Sequence, residues 1–207
     1  ILIAVLLLLS AAICLLVALL PRMNRGSTTA NASVTAGKTY YFLCTAETDE
    51  RLSALASSQN AIERGGAGYV YNDGKYKIIA AVYNKETDVK TLVTVNANSF
   101  YFSLSLPSGE HKSGDKAVIE YLTGEWFDTL LTAATELDRA NIKEAAAEHA
   151  VETACNRLRD LAYKANSEKL KNAITVCTYS PPQTQTVLSY IRYIHVQYVV
   201  ATISALI

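Results

Sequence analysis

Hydrophobic and polar residues fall along the chain in four textures. The first, Ile1 to Leu20, is apolar apart from Ser10 and Cys14. At a helical rise of about 1.5 Å per residue such a run covers about 30 Å, the hydrocarbon thickness of a bilayer. A transmembrane anchor is therefore expected over residues 1–21. The competing assignments are a buried core helix and a cleaved signal peptide, which has a shorter apolar region of about 7–15 residues beside a small-residue cleavage site. Here Pro21, Arg22 and Met23 follow the run, and the nearest Ala-x-Ala (Ala30, Asn31, Ala32) lies well downstream. Met23 is the only methionine, so the natural N-terminus is expected upstream of Ile1. Arg22 and Arg25 flank the run on one side, whereas the rule that orients a span compares both.

The second texture, residues 22–38, is Gly, Ser, Thr, Ala and Asn with Val34 as its one large apolar residue after Met23. Such a composition buries no core and behaves as a spacer. Asn31-Ala32-Ser33 matches the glycosylation sequon, a pattern too common to carry weight.

Residues 39–107 read as strand, helix, strand, strand, helix, strand. Tyr40 to Cys44 packs strand-favouring residues together. Thr48 or Asp49 can cap a helix whose expected buried stripe is Leu52, Leu55, Ala56, Gln59 and Ile62, stopped by Gly65-Gly66. Tyr69 to Tyr71, Asn72-Asp73-Gly74 and Tyr76 to Tyr83 predict a hairpin, because Asn/Asp-Gly supplies the positive φ of a tight turn. Asn84 to Asp88 open a second helix with Val89, Leu92, Val93 and Val95 as its stripe. Phe100, Phe102, Leu104 and Leu106 then alternate with Tyr101, Ser103 and Ser105, the period of a strand with one lighter face. The order βαββαβ predicts a ferredoxin-like antiparallel sheet with both helices on one face.

The fourth texture, residues 113–207, predicts an α-helical bundle, so the fold class expected is α+β. One helix is expected over Lys116 to Asp138, with Val118, Leu122, Phe127, Leu130, Leu131, Ala134 and Leu137 inside and Trp126 placed to wedge against the sheet. A second is expected over Ile142 to Lys164, burying Ala146, Ala150, Leu158 and Leu161, and a third over Ser167 to Thr178. Ser180, Pro181 and Gln183 form a capping box for the last helix, which carries Val187, Leu188, Ile191, Ile194, Val199, Ile203 and Leu206. Arg192, His195 and Gln197 in its middle argue against a second membrane span.

Charge and chemistry narrow the function. Lys+Arg and Asp+Glu balance at 19 each, so no net field gathers nucleic acid. Outside the anchor stand Cys44, Cys155 and Cys177, with no Cys-x-x-Cys pair, which indicates neither a disulfide framework nor a zinc site. His149 with Glu148, Glu152 and Cys155 is the nearest thing to a ligand set, on a helix surface where such charges are routine. With no nucleophile motif, carboxylate pair or phosphate loop, no enzyme and no cofactor are expected.

In the sheet segment, Gly74-x-Tyr76-Lys77-Ile78-Ile79-Ala80-Ala81-Val82-Tyr83 followed by Asn84-Lys85-Glu86-Thr87-Asp88, with Tyr41-Phe42-Leu43, Thr45 and Glu47 to Asp49 upstream, resembles the SPOR domain. SPOR domains, named for sporulation-related proteins, bind peptidoglycan in bacterial cell division. The chain departs from the family at Leu43 to Ala46 and at Ala81, where Gln and Gly, and Gly, are usual. The resemblance implies a membrane-anchored, single-pass protein with its bulk outside the cytoplasm. Its open sheet face would lie on glycan strands stripped of stem peptides. Strand alternation puts Lys77, Ile79, Ala81 and Tyr83 on one face of the third strand, with Tyr101 and Ser103 of the fourth and Tyr41 and Leu43 of the first as further glycan contacts. A tyrosine ring stacks on a sugar while its hydroxyl keeps a hydrogen bond. RNA-binding sheets also present aromatics, but their glycine-aromatic pattern is missing here. The alternative to the glycan reading is an envelope or sporulation scaffold working through protein contacts, its sheet covered by the helices.

Overall fold

The computed structural model describes residues 37–175, 180, 182 and 185–207. The expected anchor over 1–21 and nearly all of the spacer lie outside the described residues. Among the described residues no helix is long and apolar enough to cross a membrane.

The chain is α+β. Strand β1 (Thr39–Thr48), helix α1 (Arg51–Glu63), the hairpin β2 (Tyr69–Asn72) and β3 (Tyr76–Tyr83), helix α2 (Glu86–Val95) and strand β4 (Phe100–Ser105) come first. The strands form one antiparallel sheet in the order β2-β3-β1-β4. The hairpin turns where Asn-Asp-Gly predicts it: Gly74 has φ +114°, and the Asn72 side chain accepts its N–H at 2.9 Å. There follow α3 (Ser113–Tyr121), a π-helical turn (Leu122–Trp126), α4 (Phe127–Asp138), α5 (Glu144–Ala162), α6 (Glu168–Thr175) and α7 (Val187–Leu206).

Helix α1 buries a different face from the one its leucines predict. Ala54 and Ala61 are buried against Ile78 of β3, while Leu52 and Leu55 are 81% and 51% exposed. Alanines let the helix lie close on the sheet, and that close approach turns the longer side chains outward. In α2, Val89 is fully buried but Val95, the last residue, is exposed.

Three helical expectations also change. The single helix from Lys116 is broken into α3 and α4 by Gly124, whose φ of −117° and ψ of −105° are not helical. Beyond the break Trp126 packs inside the bundle on His195 and Tyr198 of α7, at ring separations of 5.6 and 5.8 Å, within the buried cluster that also holds Tyr40 and Phe42 of the sheet. Helix α5 buries Ala147, Val151, Ala154, Cys155, Leu158 and Ala162, leaving Ala146 and Ala150 exposed. Alanines carry little phase information, and Val151 with Leu158 sets the inward face. Helix α7 begins at Val187 behind Thr186, whose hydroxyl accepts the Ser189 N–H at 3.2 Å. Ser180 stands outside that helix, and Pro181 and Gln183 fall outside the described residues.

The main core is continuous from sheet to helices. Tyr40, Phe42, Ile79 and Val82 belong to the same buried cluster as Phe127, Leu130, Leu158, Ile191 and Ile194. Each fully buried side chain of this size contributes about 1.5–3 kcal/mol, so this interface is a major source of stability.

Candidate functional site

Residues paired directly across an antiparallel sheet share a face, so the register assigns each expected glycan contact. Tyr41 pairs with Tyr83 and Ser103, and Leu43 with Ala81 and Tyr101. These six therefore share one face, as strand alternation predicts. It is the face that carries the two helices. Tyr101 donates its hydroxyl to Glu86 of α2 at 2.7 Å and meets the Tyr41 ring edge-on at 6.3 Å. That bond to Glu86 is the first cause of a raised Tyr101 pKa, as ionisation would place two negative charges together. Tyr83 is also raised, chiefly because burial penalises its phenolate.

Lys77 and Ile79 lie on the opposite face, a correction to the simple alternation of β3. Pairing steps from Leu43–Ala81 to Cys44–Ile79, which leaves Ala80 as an extra residue on β3. It then steps from Cys44–Ile79 to Ala46–Ile78, leaving Thr45 extra on β1. The first bulge rolls Ile79 onto the face of Phe42 and Cys44; the second, on β1, restores the pairing register while β3 keeps its shifted phase, so that Ile78 meets α1 and Lys77 points away from it. Tyr83, Tyr101 and Lys77 are thus not presented together.

The face opposite α1 and α2 has two parts. Towards one end it is sealed by the C-terminal helices: Tyr40 contacts Phe127 of α4 at 5.0 Å, and Tyr69 contacts Tyr193 of α7 at 5.7 Å. Tyr40, Phe42, Ile79 and Val82 are at most 1% exposed. The other end is half-buried. Tyr71 stacks on Phe102 at 5.3 Å, Phe102 stacks on Phe42 at 5.1 Å, and the Lys77 ammonium stands 5.6 Å from the Phe102 ring. Asp73 accepts a short hydrogen bond from Lys77, and Glu47 adds an ion pair at 3.7 Å. The Lys77 bond holds the Asp73 carboxyl below its ordinary range and raises the lysine. Tyr71 and Glu47 join this cluster as the direct cross-strand partners of Lys77, whereas Phe102, which pairs with Phe42, meets Lys77 only because the bulge on β3 turns the lysine onto its face.

Ile79 and Cys44 lie under this cluster, both fully buried, and burial is the first cause pushing the Cys44 thiol up to about 12. Such a thiol is inert at neutral pH. Among the described residues no group of three or more His, Cys, Asp and Glu side chains is placed to hold a metal ion. No family model, curated protein or solved structure matches the chain.

Proposed function

We propose that this chain is an envelope scaffold that works through protein contacts, built on a SPOR-like module whose ligand face is occupied by its own C-terminal helices. In this reading β1 to β4 with α1 and α2 form a ferredoxin-like module. The strand order β2-β3-β1-β4 and the packing of both helices on one face support it. The hydrophobic run at the start of the chain would tether it to a membrane, with the bulk outside the cytoplasm.

The observation that carries the scaffold reading is the continuous core joining the free sheet face to α4 and α7. A glycan strand needs a long open platform, and here Tyr40, Ile79 and Val82 have no exposed surface to offer it. Helix α1 meanwhile presents Leu52 and Leu55 to solvent, one turn apart on its outer side, which suits a protein partner better than a sugar.

A second reading rests on the half-buried end. Tyr71, Phe102 and Lys77, with Asp73 and Glu47, combine stacking rings with charged hydrogen-bonding groups, the chemistry that holds a short sugar segment. Co-sedimentation of the 207-residue chain with intact and amidase-stripped peptidoglycan separates the two. The scaffold reading expects no pelleting above a control protein with either. Pelleting with stripped glycan that is lost in a Tyr71→Ala, Lys77→Ala variant would replace it with the second reading.

A further inference from the structure

On the helix side of the sheet, a cleft of about 480 Å³ opens between α1 and the turn joining α2 to β4. Its floor is where the sheet is irregular. Thr45 and Ala80, the two extra residues of the bulges, both line it, beside the small residues Ala46, Ala61 and Gly66. Bulges re-aim side chains and interrupt pairing, and small residues leave the space unfilled, so the hollow follows directly from the local sequence.

The walls are polar and of one charge sign. Arg64 and Arg192 line the cleft, and among the described residues no carboxylate does. Arg192 is committed: one guanidinium nitrogen donates to the Gly65 carbonyl at 2.8 Å and the other to Asp138 at 2.9 Å. Arg64 differs, since its side chain has no ion-pair or hydrogen-bond partner among the described residues. Its backbone N–H bonds the Ala61 carbonyl at 3.2 Å and fixes the base of the side chain at the end of α1. Ser57, Asn60, Asn98 and Ser99 face the same space, and their side chains also have no protein partner among the described residues.

A guanidinium only donates hydrogen bonds and favours a planar anion, whereas amides and hydroxyls both donate and accept. We propose that this cleft binds a small polyhydroxylated carboxylate of the sugar-acid class, its carboxylate on Arg64 and its hydroxyls on the asparagines and serines. The site lies on the opposite side of the sheet from the Tyr71–Phe102 cluster, and the proposal does not rest on the scaffold reading.

Equilibrium dialysis of the 207-residue chain against radiolabelled glucuronate tests it, with glucose, acetate and inorganic phosphate as competitors. Saturable retention is expected, with glucose and acetate each at least about ten-fold weaker and phosphate unable to displace the sugar acid at equal concentration. Arg64→Gln and Asn98→Ala should each weaken retention about ten-fold, the size of one lost charge-assisted or well-made hydrogen bond. Both positions are exposed, so an unchanged thermal midpoint in each variant separates lost binding from lost folding. No retention at millimolar glucuronate, retention indifferent to Arg64→Gln, or equal displacement by phosphate would each overturn the proposal.

Discussion

Tyr71 of β2 and Phe102 of β4 stack with ring centroids 5.3 Å apart and planes inclined by 22°, although β3 and β1 lie between their strands. The contact is made over the sheet, above the residues of the two intervening strands. A double-mutant cycle with Tyr71→Ala and Phe102→Ala should give a coupling energy of about 0.5–1.5 kcal/mol in urea unfolding, the usual worth of an aromatic pair beyond its buried area. Strict additivity of the two variants would contradict the stack.

Asp115 ties the start of α3 to the start of α6. Its Oδ1 accepts the backbone N–H groups of Asn166 and Ser167 at 2.7 and 2.8 Å, and the residue is buried. Asp115→Ala leaves two donors without their acceptor and should cost about 1–3 kcal/mol. Asp115→Asn retains a carbonyl oxygen and should recover part of that loss. Equal destabilisation by the two substitutions would argue that packing, not the acceptor, matters at this position.

Gly114 sets helical propensity against close approach. Alanine is favoured over glycine in a helix by about 1 kcal/mol, yet a Cβ here would collide with the Lys164 carbonyl oxygen. Overpacking of this kind costs about 1–3 kcal/mol, and backbone cannot swing aside as a side chain can. Gly114→Ala is therefore expected to lower the thermal midpoint, and a raised midpoint would mean that α3 and the segment after α5 stand further apart.

His195 makes the fold sensitive to acid. It is buried among Trp126 and Phe127, and burial pushes its pKa down to about 3. Above the unfolded value of about 6.5 the ring is neutral in both states and the full stability is present. As pH falls below that value the unfolded chain takes up a proton that the folded chain refuses. Stability then declines by about 1.4 kcal/mol per pH unit until pH approaches the folded pKa. Urea midpoints between pH 7 and pH 4 should fall more steeply for the native chain than for His195→Gln, since carboxylate titration is common to both. Parallel slopes would place His195 in contact with solvent.

The elements themselves were legible because local chemistry dictates them. Asn72-Asp73-Gly74 can hardly avoid a turn, and the alternation after Phe100 has one strand solution. Burial phase was legible where large residues set it, as at Val89 and Ile191, and illegible where alanines did, as at Ala54 and Ala147. Two bulges decided the candidate site. Thr45 and Ala80 have no local signature of an extra residue, and only the pairing of β1 with β3 reveals that Ile79 joins Phe42 on one face while Ala81 and Tyr83 look to the other. The role of Trp126 was hidden for a similar reason, since it depends on the break at Gly124.

The closure of the sheet by the C-terminal helices is the claim on which the functional reading depends, and ring-to-ring nuclear Overhauser effects test it most directly. With Tyr40 and Phe127 at 5.0 Å and Tyr69 and Tyr193 at 5.7 Å, cross-peaks within both pairs are expected. If both pairs are silent and the Tyr40 ring is relaxed by a soluble paramagnetic probe, the sheet face is open and the scaffold reading fails.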